Sequence, residues 1–405
     1  MTNSPSGKPL TVSVFMEVTS SPRTWEGMGI LEREMKLLRA LCDRGLRVNL
    51  ISYGGQAEND MPASTRGGVR VLYNWMGLHP RTYMKRVFQV HALPLLRSDV
   101  LTSFDTHSML AMLRAHWAWS IPMVMNMSYS WPLAARINPT VPQSQIIEAQ
   151  AYEDEMLTKA ACVIVANTDL LHTFVDRVPE AASKSHVMAL YVDRDLFRPM
   201  EREKRYDLIY VGRLARIKNL EAMLEAVVRT KKTIAVIGGG TPGPDGEDID
   251  PQYTAGLKHQ FGEYKGIHWL GMKSNEELPA YINQARALML CSFSEGLPRS
   301  MLEALACGVP VIGSRVGGIA STLRHEATGI LCETDAESIA AAIDTVFSQP
   351  LLLQAMGANA RQYALANLSL PEYSRRKVEL LTDIARRHPV DSAAKRVASY
   401  IMRKR

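Results

Sequence analysis

Two carboxylates, Glu295 and Glu303, bracket a helix start in CSFSEGLPRSMLEALACGVPVIGSRVGG, residues 291–318, with seven residues between them. Pro298 suits a first helical turn, where its missing N–H is not needed, and Gly308 followed by Pro310 marks a left-handed cap and a stop. A helix N-terminus offers unpaired backbone N–H groups and a partial positive charge to an anion such as a diphosphate. A carboxylate just before it and another one turn inside can accept hydrogen bonds from sugar hydroxyls on either side of that anion. At 3.6 residues per turn, Met301, Leu302, Leu305 and Ala306 share one side and Arg299, Ser300 and Glu303 the other, so Glu303 is expected to point away from the core. The spacing alone also fits a plainer use: Glu295 as a favourable charge by the helix dipole, and Glu303 paired with Arg299 at i, i+4 on a wet surface.

Other residues carry related chemistry. VGRLARIKN places Arg213 just past a strand end and Lys218 before a helix, where an arginine fork and a lysine point charge suit a diphosphate. Taken singly, both also read as surface charges. Gly27 and Gly29 stand at the entrance to an earlier helix, where missing side chains either let a ligand approach backbone amides or make a flexible turn. His107 follows one strand end and residues 126–129, Ser128 among them, follow another; both are candidates to line a cleft, although a lone histidine there is more often structural. Two Asp-x-Asp patterns, residues 193–195 and 248–250, are short and lie in a linker or loop, so no metal is expected. Neither a GxSxG elbow nor a GxxxxGK[ST] loop occurs in the sequence.

Positioning these groups takes a scaffold, and the pattern supplies one twice. Residues 10–18 read as a buried strand, a Ser/Pro/Gly loop follows, then a helix with Ile30, Leu31, Met35, Leu38 and Leu41 at helical spacing, Gly45 as cap and a second strand over 46–51. Strands are expected over 69–73, 100–104, 123–127 and 162–166, with helices over 109–116 and 144–158. After YVDRDLFRP the charged run EREKR marks a domain boundary. The alternation then restarts with strands over 206–211, 234–237, 267–270 and 287–290 and helices over 220–230 and 274–285. This is an α/β chain with two doubly wound parallel sheets, 1–195 and 205–368, and a cleft between such halves is the default place for a ligand. Helices over 336–348, 350–368 and 371–385 precede a basic tail; residues 369–405 are expected to cross back to the N-terminal domain.

Composition bounds the rest. A chain of 405 residues suits two domains without staples. The five cysteines are widely spaced in apolar contexts, which fits reduced thiols in a cytoplasmic protein and no zinc site. No signal peptide is expected, and no run of about 18 apolar residues is present to cross a bilayer. The net charge of +6 resides in the tail, where Arg386, Arg387, Lys395, Arg396, Arg403, Lys404 and Arg405 face one acid, Asp391. A neutral body argues against nucleic acid. The tail puts Val390, Ala394, Val397 and Ile401 on one face, to lie on an anionic membrane or to pack on the body. Residues 74–97 mix Trp75, Tyr83 and Phe88 with Arg81, Lys85, Arg86 and Arg97; such a mix can rest on an anionic membrane surface, but it reads better as a helix with one core face and one solvated face.

Four segments in order, YVDRDLFRP, VGRLARIKNL, SFSEGLPRSMLEALACGVPVIGS and VGGIASTLRHEATGILCE, resemble the signatures of the retaining GT-B glycosyltransferases of family 4, the glycosyl transferases group 1. The resemblance is strongest over 206–331 and implies two Rossmann-like domains facing a cleft. It implies transfer of a hexose-type unit from a nucleoside-diphosphate sugar, which is a substrate rather than a cofactor, to a glycan or glycolipid acceptor, without a metal. By the same resemblance Arg213 and Lys218 hold the diphosphate, Glu295 the sugar hydroxyls with the amides of Gly296 and Leu297 nearby, and Glu303 the ribose. Gly27 and Gly29 then meet the donor phosphates, and residues 271–274 lie near the base. Many members have a histidine where PMVMNMSYSW has Ser128, and His107 is the candidate substitute on the acceptor side. A same-fold epimerase, a non-catalytic sugar-nucleotide binder and a tail-driven membrane scaffold are the alternatives.

Overall fold

The computed structural model describes residues 8–18, 20–104, 109–136, 141–240, 248 and 250–404. The chain divides into two compact units, one of Met1–Pro132, Gln143–Met188 and Pro371–Arg405, the other of Leu133–Pro142 and Ala189–Leu370.

The first unit is built on strands β1 (Thr11–Phe15), β2 (Arg47–Ile51), β3 (Arg70–Leu72), β4 (Val100–Ser103), β5 (Met123–Met127), β6 (Cys162–Val165) and β7 (Ser185–Val187). They form one parallel sheet in the order β3-β2-β1-β4-β5-β6-β7. The central strands are buried throughout, as expected where helices cover both faces of a parallel sheet. The loop after β1 is more ordered than its composition suggests, because it contains the helix Pro22–Gly27. The Ser21 hydroxyl accepts from the Thr24 amide and the Thr24 hydroxyl accepts from the Ser21 amide, with Pro22 opening the helix. Six residues are too few for a periodic signal. Helix Pro80–Val90 buries Tyr83 and Val87 and leaves Arg81, Lys85 and Arg86 exposed, the two-faced helix expected there.

The C-terminal helices Leu370–Arg387 and Ala393–Lys404 belong to this unit. Val390, Val397 and Tyr400 pack on its core, with the Tyr400 ring 6.0 Å from Phe88 and 5.1 Å from Trp119. Val390 and Val397 of the expected apolar face therefore dock, but the face is shifted toward Tyr400. Ile401 is exposed, whereas Arg396 is buried and donates to the Leu96 carbonyl. The aromatic anchor at 400 decides the docked face, and a pattern of aliphatic residues alone does not reveal it.

In the second unit β8 (Tyr206–Val211), β9 (Ile234–Ile237), β10 (Ile267–Gly271), β11 (Ala285–Leu290), β12 (Val311–Ser314) and β13 (Gly329–Cys332) form a parallel sheet in the order β10-β9-β8-β11-β12-β13. Both sheets thus repeat the doubly wound order, so the fold is that of two Rossmann-like units. The helix expected over 274–285 shortens to Leu278–Asn283, because Pro279 has no N–H to donate and fits only a first turn.

Candidate functional site

β8 and β11 are neighbours at the centre of the second sheet, pairing Leu208 with Ala287 and Ile209 with Leu288. On one side of this pair the strand order runs back through β9 and β10, and on the other it runs forward through β12 and β13. Connections that leave in opposite directions open a crevice at the carboxyl ends of such strands. The segments after these two strands are the ones that carry Arg213, Lys218 and Glu295.

Lys218 Nζ lies 2.6 Å from Glu295 Oε1, and the Ser292 hydroxyl donates to the same oxygen at 2.7 Å. The side chains are only 16% and 8% exposed, so the pair is largely out of water. Neither partner reaches its place by its own rotamer alone. Lys218 ends the turn Arg216–Lys218, and Asn219 follows in a left-handed conformation at φ 56°. The Asn219 amide donates to the Cys291 carbonyl at 2.9 Å and the Thr334 carbonyl at 2.7 Å, while Phe293 N donates to the Ile217 carbonyl at 2.9 Å. The two segments are laced together on either side of the ion pair.

Arg213 is exposed, and its carbonyl accepts a 2.6 Å hydrogen bond from the hydroxyl of the buried Tyr210. The loop 291–298 is held from the far side by the Ser314 hydroxyl on the Ser292 carbonyl at 2.6 Å and by Gly318 N on the Glu295 carbonyl at 3.1 Å. A Cβ at Gly318 would stand 1.5 Å from the Gly296 carbonyl oxygen, so only glycine permits this approach. Leu297 is buried, and Gly296 is half-buried. The helix behind the loop is Arg299–Ala306, with Pro298 flanking its start and Gly308 at φ 71° beyond its end.

Glu303 departs from expectation: it is 4% exposed, not on a wet face. Helix Arg299–Ala306 buries every residue from Met301 to Ala306, against β11, β12 and helix Pro350–Asn367. A helix covered on several sides has no polar face for a wheel to find.

The remaining candidates stand apart from this cluster in sequence and are placed one by one. Gly29 has φ 67° just before helix Leu31–Asp43, and Gly27 ends the preceding helix with nothing within 4 Å of where a Cβ would be. Ser128 is half-buried after β5, and His107 lies outside the described residues. At the end of β5 the Asn126 side chain donates to the Thr102 hydroxyl at 2.7 Å and the Ser103 carbonyl at 2.6 Å and accepts from Lys377 Nζ at 3.0 Å. Burial brings the Lys377 ammonium down to about 8. Asp250, from an Asp-x-Asp pattern, caps helix Pro251–Phe261 and pairs with Arg216 at 3.0 Å.

Sequence reasoning did not single out Tyr210, Ser292, Asn219 or Ser314. Ser292 had a signal, three residues before Glu295 in a tight loop. Asn219 reads as an ordinary helix cap before Leu220, yet its side chain bonds two other loops.

Two family models match in succession, the glycosyl transferase 4-like domain over residues 29–190 and glycosyl transferases group 1 over residues 192–363. A protein named D-inositol 3-phosphate glycosyltransferase from Kribbella flavida is 24% identical over 88% of this chain and 82% of its own. Among solved structures, sucrose-phosphate synthase from Thermosynechococcus elongatus superposes with a TM-score of 0.75 at 19% identity, covering 92% of this chain and 98% of that one. Anabaena HepE, solved in complex with UDP-glucose, superposes with a TM-score of 0.72 at 16% identity, covering 92% and 100%. At these identities the structural likeness speaks for the fold.

Proposed function

We propose that this chain, which belongs to the glycosyl transferases group 1 family and is a glycosyltransferase of the GT-B fold, moves a sugar from a nucleoside-diphosphate donor to a glycan or glycolipid acceptor with retention of anomeric configuration. The observation that carries the reading is the meeting of Lys218 and Glu295 at the point where the strand order of the second sheet reverses. In this reading Lys218 and Arg213 take the diphosphate and stabilise the charge that grows on it as the bond from its oxygen to the anomeric carbon breaks. The sugar keeps its configuration if the acceptor hydroxyl attacks from the face the phosphate leaves, its proton passing to the departing phosphate oxygen.

Glu295 accepts from sugar hydroxyls, with the amides of Gly296 and Leu297 facing the phosphates, and Glu303 accepts from the ribose. The burial of Glu303 supports that role, because a hydrogen bond to a desolvated carboxylate is stronger than one in water. Gly27 and Gly29 leave room for donor phosphates, His107 and Ser128 serve the acceptor side, and no metal takes part. The exposed basic residues near the C-terminus contact an anionic membrane at the cytoplasmic face, where a lipid-linked acceptor would be found.

A uridine-diphosphate sugar is the first donor to test, since HepE was solved with UDP-glucose, and an inositol phosphate joins the acceptor panel because of the name of the Kribbella flavida relative. The test is thermal unfolding of the whole chain with each nucleoside diphosphate and its sugars. A true donor at 100 times its dissociation constant adds about 2.7 kcal/mol of stability. A chain indifferent to every nucleoside diphosphate would overturn the reading. The anomeric configuration of the product, followed by NMR, then decides retention.

A further inference from the structure

The first unit has a cavity of about 610 Å³ at the outer edge of its sheet, beside β3. That volume falls in the range of small-ligand sites. Arg66, Arg70, Tyr73, Trp75, His91 and Leu93 line it, and no carboxylate does so among the described residues. Among the described residues, neither guanidinium is held by an ion pair. His91 adds no charge: its Nε2 lies 2.7 Å from the Tyr83 hydroxyl, and burial, aided by the Arg70 charge, pushes the imidazole down to about 4. The cavity therefore presents two cations without a counter-charge, in side chains whose forked donors match phosphate oxygens.

Its rim has the opposite character. Trp75 and Leu93 both line the cavity yet are 60% and 69% exposed, and Met76 beside Trp75 is 51% exposed. Large apolar side chains grouped in this way mark an interaction surface. The Asn74 side chain donates to the Leu78 carbonyl at 2.6 Å and accepts from the Leu78 amide at 3.1 Å, closing the turn that carries Trp75 and Met76. The next helix, Pro80–Val90, turns Arg81, Lys85 and Arg86 to solvent.

We propose that this cavity binds the phosphate-bearing head of an anionic membrane lipid while Trp75, Met76 and Leu93 enter the lipid surface around it. A soluble phosphate compound would be served by the two arginines but would leave the apolar rim in water. A tryptophan at a rim with cations behind it is suited to the boundary between headgroups and acyl chains. The inference rests on the membrane contact proposed above and adds the first unit's sheet edge to the C-terminal helix as a second point of contact.

The test uses the full chain and sedimentation with vesicles of phosphatidylcholine, alone or mixed with phosphatidylglycerol. Binding is expected only to the mixed vesicles. The pair Arg66→Gln and Arg70→Gln should weaken it about thirtyfold, two surface cations at about 1 kcal/mol each. Arg66→Lys with Arg70→Lys should restore most of it, with an unchanged unfolding temperature in both variants. Trp75→Ser with Leu93→Ser should weaken binding as much, while Lys395→Ala with Lys404→Ala weakens it less. Vesicle binding indifferent to the glutamine pair, or equal for neutral and mixed vesicles, overturns the proposal. If only the tail pair loses binding, the membrane contact stands and the cavity is excluded. Stabilisation by inorganic phosphate without any vesicle binding makes the cavity a site for a soluble anion and overturns the lipid assignment. None of these outcomes touches donor binding, which thermal unfolding with nucleoside diphosphates reports separately.

Discussion

Lys218 Nζ and Glu295 Oε1 are 2.6 Å apart although 77 positions separate the residues in the chain. The sequence-level division, Lys218 for phosphate and Glu295 for sugar, treats them as independent, but before a donor arrives they neutralise one another. Lysine carries three donors, so Lys218 can keep Glu295 and still reach an anion. The pair thus holds both side chains in place at little electrostatic cost and avoids an uncompensated charge in a largely dry site.

Lys218→Met should lower kcat/KM by about 10²-fold or more, and Glu295→Gln similarly, through loss of charge at the leaving diphosphate and of a hydroxyl acceptor. Each should also lower stability by about 1–3 kcal/mol, because one partner of a mostly buried pair is left behind. Steady-state kinetics beside denaturant unfolding separate the two effects. Near-normal turnover in either variant would remove the proposed roles.

Two glycines make a contrast that tests packing against ligand room. Gly318→Ala drives a Cβ to 1.5 Å from the Gly296 carbonyl and must displace the loop that carries Glu295, so stability and turnover should fall together. Gly27→Ala meets nothing within 4 Å and should leave the unfolding temperature unchanged while raising KM for the donor. A Gly27→Ala enzyme with an unaltered donor KM would show that the open space there serves no ligand.

The strands other than β7, β12 and β13, and most helices, were legible because burial on both faces leaves long apolar runs and because Gly and Pro mark the ends. The loop helix Pro22–Gly27 was not, since capping and not periodicity makes it. Arg213, Lys218 and Glu295 could be singled out by type and place after strand ends. Their mutual geometry could not, because it depends on the adjacency of β8 and β11 and on lacing by Asn219 and Ser314. Glu303 was misjudged for a related reason: a wheel sees one helix, and its environment is set by a helix some fifty residues later, Pro350–Asn367.

Lys377 supplies a pH test. Its ammonium, buried against Asn126, titrates near 8 when folded and near the ordinary 10.5 when unfolded. Between those values the unfolded chain holds more protons, so this residue's contribution to stability rises with pH across that window, and its full penalty is present below 8. The stability of the parent minus that of Lys377→Met should therefore climb from pH 8 to pH 10, by about 3 kcal/mol at most. Taking the difference cancels the tyrosines and cysteines that titrate alongside. A flat difference would mean that Lys377 is solvated in solution.

The C-terminal helix Ala393–Lys404 offers two neighbouring side chains with opposite expectations. The Tyr400 ring packs on Phe88 and Trp119, whereas Ile401 is 49% exposed. Tyr400→Ala removes an aromatic contact from the edge of the core and should cost about 2 kcal/mol. Ile401→Ala should stay within about 0.5 kcal/mol of the parent. A face centred on Val390, Ala394, Val397 and Ile401 would instead bury Ile401 at least as deeply as Tyr400. Urea unfolding of the two variants therefore reads out which face of the helix meets the body. A larger loss at Ile401 than at Tyr400 would show that the helix docks through its aliphatic face, and would return Tyr400 to the surface that any membrane contact of the tail could use.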